Sequence, residues 1–305
     1  MPHPFAGVQT VVSTPFRNDG SVDHDSLEQL VRTQIEWGID GVILFGLVGE
    51  FYKLDRDERR AIVETAASVC EDTSTDLVVS VTDHATTKAT EFAAFATDAG
   101  ADGLMLLPPH FLGPGQDDVI RHVARIGDAI DCPLMVQYAP EQTGVALSTE
   151  TFVELANDVE PLCAFKIESR PPGPDVSAIT EATDDNVGVL VGYAGLNLIE
   201  ALDRGAIGVV PGSAASDIYK AICEQYHAAG RETAKEYHEA LLPMVTHTFQ
   251  SVEQLIYYEK RMLIERGMID SATCREPAFT PDERFDALFE EHYESLREWF
   301  VEDTP

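Results

Sequence analysis

Short apolar runs rich in Val, Ile and Leu alternate along the chain with longer stretches whose apolar positions recur every three or four residues. The runs stand at 7–12, 41–45, 77–81, 103–107, 134–138, 162–167, 187–191 and 206–210. Each is short for a helix and rich in β-formers, the pattern of a strand covered on both faces. Helical periodicity fills the gaps at 25–37, 55–70, 87–99, 117–130, 149–157, 175–183 and 196–203. Eight strands alternating with helices predict the α/β class, and within it a closed (β/α)8 TIM barrel over residues 1–230 rather than an open doubly wound sheet. An internal echo agrees. Gly38-Ile39-Asp40-Gly41, Gly100-Ala101-Asp102-Gly103 and Gly205-Ala206-Ile207-Gly208 each lie between a helix and the next strand, where glycine ends a helix in the left-handed conformation. Further helical stretches at 216–229, 231–249, 252–266 and 281–300 predict a C-terminal α-helical appendage, with the extension proper spanning 231–305.

Barrels of this kind place their chemistry at the carboxyl ends of the strands. Those positions hold Ser13-Thr14-Pro15, the loop Gly46-Leu47-Val48-Gly49-Glu50, Thr82-Asp83-His84, Pro108-Pro109-His110-Phe111, Gln137-Tyr138, Lys166, Gly192-Tyr193 and Gly212-Ser213. Lys166 is the most informative of them, one of only six lysines and set in the apolar run Leu162-Cys163-Ala164-Phe165-Lys166-Ile167. Amines kept from water are penalised in their charged form and become nucleophiles that condense with a carbonyl. The strand alone leaves a second reading open, a lysine whose stem packs on apolar neighbours while its head reaches water. The gathering of glycine and polar residues on one rim favours the first.

Composition narrows the partners. With 305 residues, 44% of them hydrophobic, the chain can bury one large core, and 53 acidic against 21 basic residues leave a formal charge of −32. Such a surface repels nucleic acid and anionic membranes, so neither is expected as a partner. The acids are spread over helix faces rather than collected in a tail, which points to a halophilic environment and not to a substrate. Cys70, Cys132, Cys163, Cys223 and Cys274 are odd in number and widely spaced, as in reduced thiols of a cytoplasmic protein. Neither a leader-like start nor a membrane-length apolar run is present in the sequence. Histidines and cysteines lack metal-ligand spacing, and no phosphate-cradling motif occurs, so no metal and no cofactor is expected.

The segments Thr14-Pro15-Phe16, Asp19-Gly20-Ser21-Val22-Asp23, Gly38-Ile39-Asp40-Gly41, Gly46-Leu47-Val48-Gly49-Glu50, Phe165-Lys166-Ile167-Glu168 and Gly205-Ala206-Ile207-Gly208-Val209 together resemble the dihydrodipicolinate synthase/N-acetylneuraminate lyase family of Schiff-base barrels. The resemblance covers essentially the whole chain. It implies that Lys166 forms a covalent imine with a small 2-keto acid, and that the loop Gly46 to Glu50 holds the substrate carboxylate. It also implies a homotetramer, since relatives are usually dimers of dimers.

Departures from the family pattern shape the expected reaction. Leu47 and Val48 replace the two central hydroxyl residues of the loop, so backbone N–H groups must hold the carboxylate. Gln137 stands where the family tyrosine of the fifth strand belongs, and Tyr138 follows it. Side chains alternate along a strand, so Gln137 is expected to face the site and Tyr138 the other side. His110 replaces a further tyrosine and Gln142 the arginine used by the synthase, which argues against dihydrodipicolinate synthesis as the activity. His84 and the run Leu242-Pro243-Met244-Val245-Thr246-His247 are similar to a narrower branch, the 2-keto-3-deoxy-L-arabinonate dehydratases. In the dehydration this implies, an imine at C2 acidifies C3–H, a base takes that proton, the C4 hydroxyl leaves as water, and rearrangement and hydrolysis give 2-oxoglutarate semialdehyde. Lys166 is then the nucleophile, and His84 or an imine-side base takes the proton. Gln137 or Tyr138 orients hydroxyls, His110 helps water depart, and Gly192 and Ser213 contact substrate hydroxyls. Two alternatives stay open: an aldolase releasing pyruvate from a 2-keto-3-deoxy-gluconate-type or 4-hydroxy-2-oxo acid, and a silent barrel that binds a keto acid.

Overall fold

The structure, a computed structural model, describes residues 3–183 and 186–301; Met1 and Pro2 of the amino-terminal stretch and the last four residues of the predicted extension lie outside the described residues. Eight strands, β1 (Gly7–Val11), β2 (Gly41–Leu44), β3 (Asp76–Ser80), β4 (Gly103–Leu106), β5 (Leu134–Tyr138), β6 (Leu162–Ile167), β7 (Gly188–Val191) and β8 (Gly208–Val209), pair in parallel in chain order. The ring closes through β1 and β8, where Gly7 faces Gly208. Between and around the strands run α1 (His24–Glu36), α2 (Arg56–Cys70), α3 (Thr86–Asp98), α4 (Gln116–Gly127), the single turn α5 (Pro140–Thr143), α6 (Thr149–Asp158), α7 (Gly173–Ala182), α8 (Leu198–Asp203) and α9 (Ser216–Ala228). This is the predicted TIM barrel. Half of the strand edges coincide with the sequence reading and nearly all the others differ by a residue, while β8 keeps only two of its five predicted residues.

Alternation along each strand divides the apolar residues into two cores. Val11, Ile43, Val78, Met105, Met135, Ala164 and Leu190 point inward and fill the lumen, whose lower end is stoppered by Phe5. Their neighbours, such as Val42, Val79, Val136, Phe165 and Val189, point outward and pack under the helices. Gly38, Gly100 and Gly205 all adopt positive φ, at 66°, 105° and 93°, and end their helices as the repeated sequence motif predicts.

The extension consists of α10 (Arg231–Thr248), α11 (Val252–Glu265) and α12 (Glu283–Leu296). α10 packs on α9 and α12, while α11 lies against a 3-10 turn at Leu47–Gly49 that follows β2. The predicted helical appendage also supplies part of the wall above the barrel mouth.

Candidate active site

Past an irregularity at its start, β6 alternates from Ala164 onward, so Ala164, Lys166 and the following Glu168 project the same way into the lumen while Phe165 and Ile167 join the outer core. Strand pairing sets Gln137 directly beside Lys166, and Leu190 beyond it. The Lys166 side chain is only 5% exposed, and its Nζ stands 3.5 Å from Glu168 Oε1. Gln137 Nε2 donates to the other carboxylate oxygen at 2.5 Å, and the Tyr193 backbone N–H donates to Oε1 at 3.2 Å. One carboxylate therefore gathers an amine, an amide and a main-chain N–H at the carboxyl ends of β5, β6 and β7. Gly192 makes this approach possible, since a Cβ there would come within 2.2 Å of Glu168 Oε1.

Lys166 and Glu168 line a cavity of about 40 Å³ at the barrel mouth. Leu47 and Val48 form one wall, Gln142 and Tyr193 another, and Phe249, Val252 and Leu255 bring in the extension. Tyr193 begins a 3-10 turn, Tyr193–Gly195, in which Tyr193 and Ala194 both take left-handed φ, 50° and 48°. Such conformations cost about 1–3 kcal/mol each and persist only where surroundings hold them. Here Tyr219 Oη donates to the Ala194 carbonyl and a His238 ring nitrogen bonds the Gly195 carbonyl. The Tyr193 phenol accepts from Gln142 Nε2 at 2.9 Å and donates toward Glu141 Oε2 at 3.1 Å. Burial, with the Glu141 and Glu168 carboxylates nearby, pushes this phenol up to about 12 against the Gln142 hydrogen bond.

Several sequence-predicted residues lie elsewhere. Tyr138 points outward, as alternation requires, and its ring packs on Phe152 with centroids 5.1 Å apart, so it is not a site residue. His84 and His110 do meet, with ring centroids 4.6 Å apart, but on the helix side of the barrel they border a separate surface pocket with Arg121 and His122 of α4. Neither lines the Lys166 cavity. Glu50 is wholly buried and turned from the cavity: its oxygens take Lys260 Nζ at 2.5 Å and Lys53 Nζ at 2.9 Å. Ser213 is also wholly buried, its hydroxyl directed to Glu259 at 3.5 Å, because the chain exposes Gly212 to the cavity and the next residue turns away. Gly46 and Gly49 support the turn that presents Leu47 and Val48, and the Gly49 carbonyl accepts from the buried Thr14 hydroxyl at 2.7 Å. Glu168, Gln142 and Tyr193 were not assigned site roles from sequence. Glu168 was readable there from its i+2 spacing to Lys166, whereas Gln142 and Tyr193 meet only through the fold.

A closed parallel barrel with a buried lysine, a carboxylate and a phenol at its carboxyl-end mouth defines a TIM-barrel protein with a lysine-centred candidate site. Comparisons narrow the class. The model of the "Dihydrodipicolinate synthetase family" matches residues 4–292, and the chain belongs to that family. A 4-hydroxy-tetrahydrodipicolinate synthase of Campylobacter jejuni subsp. doylei is 28% identical over 293 residues, covering 93% of this chain and 94% of that protein. The same enzyme of Methanococcus aeolicus is 30% identical over 246 residues, covering 80% and 83%. Among solved structures, the dihydrodipicolinate synthase of Thermotoga maritima superposes with a TM-score of 0.87 at 26% identity over 97% of this chain and 99% of that one. A monomeric dihydrodipicolinate synthase variant superposes at 0.88 with 26% identity, over 96% and 97%.

Proposed function

We infer that the protein condenses Lys166 with the ketone of a 2-keto-3-deoxy sugar acid and eliminates water from it, the best-suited substrate being a pentonate such as 2-keto-3-deoxy-L-arabinonate. The observation that carries this reading is the position of Glu168, between the amine of Lys166 and the amide of Gln137. Once an imine joins Nζ to C2, C3 lies one bond further along, within reach of a carboxylate that starts 3.5 Å from Nζ. Glu168 takes the C3 proton, the electron pair moves into the C2–C3 bond, and the C4 hydroxyl leaves as water with the proton returned by the carboxyl group. Tautomerisation then gives 2-oxoglutarate semialdehyde after hydrolysis frees Lys166. Glu168 takes in this scheme the base role for which the sequence reading offers His84 or an imine-side base.

Synthase chemistry has less support in the residues. Gln137 occupies the position of the family tyrosine, and its amide is engaged by Glu168. Gln142 occupies the position of the synthase arginine and bonds a phenol. Without the tyrosine relay, an aldolase would lack the group that deprotonates the C4 hydroxyl. The loop N–H groups at Leu47 and Val48 open their 3-10 turn and are the natural donors to a substrate carboxylate. A cytoplasmic homotetramer needing no metal or organic cofactor completes the reading; the five free cysteines are in keeping with it.

Incubation with pyruvate and borohydride tests the imine. A stable adduct on Lys166, absent from Lys166→Ala, is expected. An adduct that survives that substitution, or none with the parent protein, overturns the reading. Product analysis on the sugar acid then separates semialdehyde, expected, from free pyruvate, which would establish an aldolase.

A further inference from the structure

The cavity at Lys166 measures about 40 Å³, room for a few water molecules. Sites that take small organic ligands run from about 300 Å³ upward. A 2-oxo acid reaches the lysine amine only if a wall gives way, and the walls differ in how they are held. The turn at Leu47–Gly49 is fastened from behind, by the Thr14 hydroxyl on the Gly49 carbonyl and by Lys260 on Glu50. The Tyr193 turn is fixed by Glu168, Tyr219 and His238. The body of α11 is tied to the barrel at successive points. Glu259 accepts from the Ala214 N–H at 2.7 Å, Lys260 reaches Glu50, and Arg266 donates to the Ala214 carbonyl at 2.7 Å and to Asp217 at 2.9 Å.

The remaining wall lacks such ties. Phe249, Val252 and Leu255 come from the join of α10 and α11, where Phe249 (φ −100°, ψ 51°) and Ser251 (φ −148°, ψ 164°) leave the helical conformation. Among the described residues, every hydrogen bond of 249–255 is local. The Phe249 N–H donates to the Val245 carbonyl, the Gln254 and Leu255 N–H groups to Ser251, and the Gln250 and Gln254 side-chain amides to the His247 carbonyl at 3.2 and 2.7 Å. Side-chain packing alone closes the gap to the barrel. Phe249 meets the Tyr193 ring at 5.4 Å between centroids and the Arg170 guanidinium at 5.7 Å. A segment held by packing, with no hydrogen bond to its neighbours, opens at lower cost than the fastened elements around it.

We propose that residues 249–255 form a lid. The join and the first turn of α11 swing out to admit a 2-oxo acid, and Phe249 then returns onto Tyr193 and Arg170, closing over the imine and keeping bulk water from it while proton transfer runs. The proposal rests on the imine reading for its ligand.

Hydrogen exchange on the full-length protein tests it, free and with pyruvate reduced onto Lys166 by borohydride. The Phe249 and Leu255 amides are hydrogen-bonded and so report opening, while those of Met262 and Leu263 lie in the fastened body of α11. The adduct is expected to slow exchange at Phe249 and Leu255 by about 10-fold relative to Met262 and Leu263. Equal slowing in both stretches, or none, overturns the lid. Phe249→Ala removes the packing that holds the segment shut and should speed exchange at Leu255 in the free protein by about 10-fold, with Met262 within about threefold of the parent. Unchanged exchange at Leu255 in that variant also overturns the lid, and this arm needs no adduct. If the variant misfolds, the free and trapped parent protein decide. Failure of the imine reading shows separately, as the absence of any adduct on Lys166.

Discussion

Lys166 and Glu168, two residues apart on one strand end, point into the same lumen and bring amine and carboxylate to 3.5 Å. An amine and a base held together on one rigid element need no induced movement to act on adjacent carbons of a bound keto acid. Replacing Glu168 by Gln keeps the hydrogen-bonding shape and removes the base. Turnover of the sugar acid should fall at least about 100-fold, while borohydride still traps some pyruvate on Lys166. Gly192→Ala should mimic this loss, because the new methyl group displaces the carboxylate rather than the backbone. Steady-state kinetics beside mass spectrometry of the trapped adduct separates the two effects.

Tyr138 and His84 provide the converse check. Tyr138→Phe and His84→Ala should each leave kcat/KM within about threefold of the parent, since neither side chain lines the cavity. Tyr138→Phe loses a buried phenol's hydrogen bond and should lower stability by about 1 kcal/mol, measurable by urea unfolding.

Glu259 makes the fold's stability depend on pH. Burial pushes its carboxyl up to about 7, against hydrogen bonds from Ala214 and Ser213. The folded state therefore holds this proton where the unfolded chain, titrating at about 4.3, has released it. The stabilisation is fully present below the unfolded value and declines as pH rises through the window up to about 7. Glu259→Gln keeps an oxygen for the Ala214 N–H and removes the titration. Relative to that variant, the parent should lose about 3 kcal/mol between pH 4.5 and 7.5, read from denaturant midpoints at a series of pH values.

Lys260 tests the link between the extension and the barrel mouth. It is wholly buried, contacts Glu50 and the Thr273 carbonyl, and lies 4.3 Å above the Phe16 ring. Lys260→Met leaves Glu50 with Lys53 and the Arg275 backbone N–H and should cost about 3 kcal/mol, lowering Tm by about 5 °C. Adding Glu50→Gln to that variant should recover part of the loss, and a double-mutant cycle by thermal unfolding measures how much.

The strand and helix periods made the barrel legible, because parallel strands covered on both faces leave continuous apolar runs. Alternation also placed Lys166 and Gln137 inside and Tyr138 outside, as found. The same rule, carried two residues past Lys166, would have found Glu168. Less accessible was the fate of residues beyond the strand ends, where loop direction and not period decides. His84 and His110 leave the axis on loops that meet α4, and Glu50 is turned away by a left-handed backbone and two lysines. Its partner Lys260 is 210 residues distant, a separation over which no local pattern carries information.

That separation also orders the assembly of the site in time. The turn bearing Leu47 and Val48 emerges early in translation, yet its anchor and the roof residues Val252 and Leu255 emerge only after every barrel strand has been made. A nascent chain can close its β-ring before it owns a finished mouth, so the roof over Lys166 arrives with α11, after the barrel itself.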